Sequence, residues 1–304
     1  MWRSRLVWIL VVAGIVLTGV AAWYENEHQA HTSGYSSLVS VAFLVCIGLV
    51  EVVKFIRDSA KSKGRLSGQT FLEEYTTLLT NAIEALQDVH TYNEPQLHQA
   101  QAKILKLIAS VVILFYPEAE ELGINANLMR DEPVGQHSIQ NRFKDYVYFS
   151  DPQRTADTYS SVLCIVAWSD PPQVAPLNFS VPVDTDPRRV LFGAPSTFVS
   201  GRKIVVQNIH NRKEVGKLLA GQPEVVQDAI HAFFILQKYK TFLSIAVENA
   251  DTKIAVLNIQ ADQLKVFGNQ DRQAEIERFI APFCSILGII TAQTLSVGPA
   301  PGPQ

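Results

Sequence analysis

Two long apolar runs open the chain, and shorter amphipathic periods follow them. Residues 6–23 read LVWILVVAGIVLTGVAAW without a charge. At about 1.5 Å per residue such a run crosses most of a hydrocarbon core about 30 Å thick. A second apolar run covers residues 38–56, interrupted only by Glu51 and Lys54. The pair predicts a transmembrane hairpin over residues 1–60, with helices at about 6–23 and 38–56. A cleaved signal peptide is the competing reading of the first run, because Arg3 and Arg5 precede it and Val20-Ala21-Ala22 resembles a small-residue cleavage site. A second run so soon afterwards favours two spans. Lys54 can snorkel to the interface, and Glu51, three residues earlier, can pair with it on one helix face.

The basic residues orient the hairpin. The loop over residues 24–37 has no Lys or Arg, whereas Arg3 and Arg5 precede the first span and Lys54, Arg57, Lys61, Lys63 and Arg65 end or follow the second. The positive-inside bias then places both termini in the cytoplasm and makes the chain a multi-pass protein of the inner (plasma) membrane. Trp23 and Tyr24 sit where interfacial aromatic anchors belong. His28 and His31 in the outer loop have ligand-like spacing but no third or fourth donor nearby, so a solvated loop is the simpler reading.

Beyond a Gly/Ser-containing joint at residues 61–69 the period becomes that of soluble helices. Phe71, Leu72, Tyr75, Leu78, Leu79, Ala82, Ile83, Leu86 and Val89 recur at three and four, predicting a helix to about Tyr92. A second helix is predicted from Pro95 through Leu97, Ile104, Leu105, Ile108, Val111, Val112 and Phe115 to a stop at Pro117. β-branched and aromatic runs then predict strands at 146–149, 162–168, 179–183, 203–209, 242–247 and 253–259. The last two flank the turn formers of residues 248–252 and should pair as an antiparallel hairpin. A helix is predicted over 223–240, and a last one from Asp271 to Ile290 that Pro282 should kink or split. The tail at 296–304, with its GPAPGP, reads as disordered. The fold class expected is α+β, a mainly antiparallel sheet with flanking helices, over residues 70–295.

Composition narrows the chemistry. With 29 acidic against 26 basic side chains the net charge is −3, no global field for nucleic acid. Cys46, Cys164 and Cys284 stand far apart in apolar contexts, with no zinc or disulfide spacing. Hydrolase, dinucleotide-binding, P-loop and kinase signatures are absent, so neither catalytic residues, nor a metal, nor a cofactor is assigned. Three side chains stand as ligand-binding candidates. His210 and Arg212, in His210-Asn211-Arg212-Lys213 at the end of a predicted strand, suit an anion as well as a solvated polar turn. His231, among Ile230, Ala232 and Phe233, suits a half-buried structural histidine or a ligand contact. Glu118, Glu120 and Glu121 read as helix-start chemistry. Arg130-Asp131-Glu132-Pro133 and Asp184-Thr185-Asp186-Pro187 read as turns.

The stretch 237–268, QKYKTFLSIAVENADTKIAVLNIQADQLKVFG, followed by a helix ending FIAPFCSILGIIT, resembles the C-terminal half of GAF domains. In that family a Tyr-x-Ser-x-Leu-x-Val-Pro strand leads through a hairpin to Ile-Gly-Val-Leu-Asn, a loop closed by phenylalanine and a long last helix. Tyr239, Leu243, Ile254, Val256, Leu257, Asn258 and Phe267 fall in step with it, whereas Ala246 replaces the usual proline and Ala255 the usual glycine. The cyclic-nucleotide signature is absent, and Cys164 lacks a chromophore context. The resemblance implies a non-catalytic sensory domain in which a small molecule or a partner's surface sits between sheet and lid. Its partners would be the bilayer, a small-molecule ligand, and a second copy or a separate signalling protein. Two other readings keep the architecture: a ligand-triggered membrane-perturbing effector, for which Glu51 inside a span is the hint, and a passive membrane scaffold. If the hairpin spans the bilayer, the full-length protein stays with membranes through alkaline carbonate washing, and a reporter at its C-terminus is protected on the cytoplasmic side; release by carbonate overturns the topology.

Overall fold

The computed structural model describes residues 68–87, 89–116, 122–133, 159–170 and 180–297. The expected hairpin, the joint to residue 67, the acidic residues 118–121, the strand expected at 146–149 and the tail from 298 lie outside them. Helix α1 is Gly68–Gln87, and a 3₁₀ turn at Val89–Thr91 leads to α2, Glu94–Ile113. Asn93 starts α2 with a capping box: its side chain accepts from the Gln96 amide while the Gln96 side chain accepts from the Asn93 amide. Strands β1 (Ile124–Pro133), β2 (Tyr159–Trp168) and β3 (Ser180–Asp184) follow. Next come α3 (Ala194–Ser200), β4 (Ile204–Val206), α4 (Arg212–Leu218) and α5 (Glu224–Ile235). The hairpin of β5 (Thr241–Asn249) and β6 (Thr252–Ala261) precedes the closing helix α6, Gln270–Val297.

The six strands form one sheet in the order β3-β2-β1-β6-β5-β4, every neighbouring pair antiparallel. The first and last strands are thus central partners, and the α+β expectation holds for the described residues. Period-two alternation gives the sheet two apolar faces. Ala126, Leu128, Leu243, Val247, Ala255, Leu257 and Ile259 face a layer made of α1, α2 and α6. Phe242 and Met129 face the other way, toward α3, α4 and α5. The β5–β6 connection is a two-residue turn with Ala250 and Asp251 both at positive φ, 47° and 63°, as a type I′ hairpin requires.

Several expectations change, among them the helix expected over 223–240, which ends at Ile235, and the one expected to about Tyr92, which ends at Gln87. β1 was not legible as a strand, and Arg130-Asp131-Glu132-Pro133, expected as a turn, forms its last four residues, opposite Cys164, Leu163, Val162 and Ser161. Turn-forming side chains are overridden there because pairing satisfies the backbone of a central strand. The strand expected at 203–209 is confined to Ile204–Val206. Residues 210–213 begin as an exposed turn at His210 and then enter a helix that was not expected: the Asn211 side chain caps α4 by accepting from the Lys213 and Glu214 amides. Finally, α6 is not split at Pro282: one helix covers Gln270–Val297.

That helix is long and apolar enough to cross a membrane, yet 56% of its apolar window is buried inside the fold. It is the axis of the helix layer. Phe279 meets Phe71 at 5.2 Å, Tyr75 at 5.1 Å and Phe115 at 5.5 Å between ring centroids, all edge-on, and Tyr75 also meets Phe283 at 6.0 Å. Pro282 has no N–H for the carbonyl of Arg278 four residues back. The next carbonyl, that of Phe279, accepts a hydrogen bond from the fully buried Tyr75 hydroxyl at 3.0 Å. Farther along, Gln101 of α2, fully buried, donates to Thr291 of α6 at 3.1 Å. Gly288 lets α6 approach the end of β5, since a Cβ there would lie 2.3 Å from the Glu248 carbonyl oxygen. Gly288→Ala is expected to destabilise the fold by about 3 kcal/mol through overpacking against that rigid backbone. Tyr75→Phe is expected to lose about 1 kcal/mol for the hydrogen bond alone. Thermal melts of the two variants check the ranking.

Candidate functional site

Registers decide what gathers on the face away from α1, α2 and α6. Ser244 of β5 lies directly opposite Asn258 of β6, and Asn258 opposite Asn127 of β1. Their side chains join into one row: the Ser244 hydroxyl donates to Asn258 Oδ1 at 2.7 Å, and Asn258 Nδ2 donates to Asn127 Oδ1 at 3.0 Å. All three are buried, Ser244 completely. A neutral amide and hydroxyl ladder in the middle of a sheet costs desolvation that apolar side chains would avoid.

Helix α3 lies across this stretch. Its entry residue Gly193 (φ 87°) abuts the Phe242 ring, with a Cβ there 3.6 Å from the ring edge. Its last turn is held by Lys253 Nζ donating to the Val199 carbonyl at 2.7 Å. Between these anchors Ala194 and Phe198 pack on Val256 and Met129, the residues next to Asn258 and Asn127 on the same face. Thr197, one turn after Ala194, is fully buried, and its Oγ1 has no hydrogen-bond partner among the described residues. Beside this helix the lid is aromatic: Phe192 lies 5.8 Å from Phe234 and 6.1 Å from Phe242, and Phe234 lies 6.2 Å from Phe242. Tyr239, packed against the same cluster, has its pKa raised by burial. The region sets uncharged donors and acceptors beside aromatic side chains.

The three residues singled out from the sequence lie elsewhere, at the seam of α4 and α5. His210 is exposed just before the Asn211 cap, its amide bonded to Asn208 Oδ1 at 3.0 Å. Arg212, also exposed, forms a close ion pair with Asp228 of α5. His231 is buried one turn beyond Asp228; burial pushes its pKa down, the Arg212 guanidinium adds to this, and Asp228 opposes it. Arg212 and His231 are therefore brought together around Asp228, and His210 is not. The guanidinium has the Asp228 carboxylate as its partner across the α4–α5 seam. The Cys284 thiol is pushed up to about 12, chiefly by burial, which keeps it protonated at neutral pH.

Thr197, Ser244 and Asn127 were not singled out by the sequence patterns. Asn258 alone carried a signal, as the last residue of the GAF-like motif. No protein-family model matches the chain, and no curated protein matches it. Because native His231 resists protonation, its contribution to stability is present above its unfolded pKa of about 6.5 and is lost as pH falls through the lowered native value. Melting curves from pH 8 to 5 are expected to fall more steeply for wild type than for His231→Gln.

Proposed function

We propose that this chain is a membrane-anchored, non-catalytic sensor whose GAF-like domain binds a small, uncharged polar ligand between the sheet and the α3–α5 lid. In this reading the hairpin at 6–23 and 38–56 holds it to the inner membrane with both termini cytoplasmic. The observation that carries it is the buried Ser244–Asn258–Asn127 row with the unpartnered Thr197 hydroxyl in the helix above. Buried polar groups left short of partners are uncommon in native folds and concentrate where function needs them. The order of elements supports the family resemblance: a leading helix pair, a helical lid, the β5–β6 hairpin carrying Asn258, a loop closed by the fully buried Phe267, and a long last helix.

The same layout suggests a route for output. β5 and β6 carry two members of the row and pack their other face on α6, and α6 is tied to α1 through Phe279 and Tyr75. α1 begins at Gly68, and residues 57–67 separate it from the second predicted span. A shift of the hairpin strands under the lid would thus reach the membrane-proximal helix through packed, contiguous contacts. A passive scaffold is the second reading, and the aromatic packing of Phe192, Phe234 and Phe242 under the lid favours it.

Mass spectrometry of small molecules released from the detergent-purified full-length protein separates the two. The sensor predicts a stoichiometric polar compound that is absent from Thr197→Val, a substitution expected to stabilise the ligand-free fold by about 1 kcal/mol because it removes an unpaired buried hydroxyl. A wild type that carries no such compound, together with a Thr197→Val variant altered only in stability, supports the scaffold.

A further inference from the structure

The most exposed apolar side chains of the fold collect at one end of the sheet. Ile235, the last residue of α5, and the adjoining Leu236 are 69% and 81% exposed, the highest values of any large apolar side chain among the described residues, and Leu264 in the β6–α6 connection is 49% exposed. Backbone bonds bring these connections together. The Lys240 amide donates to the Ala261 carbonyl at 2.7 Å, the Ile209 amide to the Lys240 carbonyl at 2.8 Å and the Lys265 amide to the Gln207 carbonyl at 3.1 Å, so 236–240 and 262–265 flank the same end of β4, β5 and β6. Exposed lysines stand in both: Lys238 and Lys240 in the first, Lys265 in the second. Asp262 is exposed there too, its Oδ1 accepting from the Gly123 amide at 3.1 Å, and Asp271 is exposed at the start of α6.

The same end carries the start of α1. The Gly268 amide donates to the Lys265 carbonyl at 2.9 Å, Arg272 in the first turn of α6 lies 5.3 Å from the Phe115 ring, and Phe115 meets Phe71, near the start of α1, at 5.6 Å. Before α1 comes the joint at residues 57–67, with Arg57, Lys61, Lys63 and Arg65 against Asp58. We infer that this end of the folded domain rests on an anionic bilayer surface, with Ile235, Leu236 and Leu264 entering the headgroup layer and Lys238, Lys240 and Lys265 meeting lipid phosphates. The inference rests on the anchor reading of the hairpin and is independent of what binds under the lid. It adds to that reading a second contact, made by the domain itself. The joint alone does not impose it, because residues 57–67 fully extended would reach about 40 Å. Cations outnumber acids across the joint and the two connections, which matches a negative leaflet. A tip of three apolar side chains is too small for a standard protein interface but suits shallow insertion among headgroups.

Lysine acylation of the full-length chain in lipid nanodiscs tests it, with the extent of reaction at each lysine read by mass spectrometry. The discs contain phosphatidylcholine alone, or phosphatidylcholine with phosphatidylglycerol. Lys238, Lys240 and Lys265 are expected to react about threefold more slowly in the anionic discs, and high salt is expected to erase the difference. Lys103, exposed on α2 near the Gln101–Thr291 contact at the far end of the helix layer, is expected to react alike in both. Leu236→Asp combined with Leu264→Asp changes only exposed side chains, and it is expected to abolish the protection while the chain still enters the discs. A chain that does not enter either kind of disc overturns the anchor reading, and this inference falls with it. A chain that enters them overturns this inference alone if its three lysines react equally in the two kinds of disc, if Lys103 is protected to the same extent, or if the protection survives in the double variant.

Discussion

The contact on which the rest of the molecule depends is the meeting of α1, α2 and α6 around Phe279. Phe71 and Tyr75 from α1 and Phe115 from the end of α2 close edge-on about that one ring. Aromatic pairs in this geometry contribute about 1 kcal/mol each beyond the area they bury. The Tyr75 hydroxyl then donates its hydrogen bond to a helix carbonyl beside a proline, so the site that would weaken α6 becomes the place where α1 is fastened. Arg272, 5.3 Å above the Phe115 ring, seals the outer edge.

That fastening divides the sheet into two kinds of surface. The face toward α6 is continuously apolar, and Gly288 lets helix and strand approach until backbone meets backbone, which leaves little freedom for relative sliding. The face toward α3, α4 and α5 is interrupted by amides and hydroxyls and covered by three short helices. α3 has only 7 residues, packed through Ala194 and Phe198 and anchored at its ends by Gly193 on Phe242 and by Lys253 on the Val199 carbonyl. The Arg212–Asp228 pair with His231 belongs to that lid, joining α4 to α5 without reaching the polar row.

Much of the α+β fold was legible in the residue periodicity alone. α1, α2, α5 and α6 repeat Phe, Leu, Ile and Tyr every three or four residues, and the β5–β6 hairpin shows β-branched runs about a short polar loop. β1 was not legible, because Asn125, Asn127, Arg130 and Asp131 read as turn formers and its partners Trp168 and Ala261 are distant in sequence. The candidate site was hidden for the same reason. A polar residue in a strand pattern reads as solvent-facing, and nothing local distinguishes Ser244 or Asn127 from a residue that points to water.

What the sequence by itself determined is periodicity: that α1, α2, α5 and α6 are helices, which of their residues turn inward, and, from the 6–23 and 38–56 runs, the expectation of a bilayer anchor. What only the tertiary structure decided is partnership across distance. Register places Ser244, Asn258 and Asn127 in one row, and packing buries Thr197 in the helix laid across it. Likewise Asp228 falls beside Arg212. Side-chain spacing along a chain is fixed by local backbone geometry, whereas strand order, register and helix docking follow from minimising exposed apolar area and unpaired backbone over the whole chain at once.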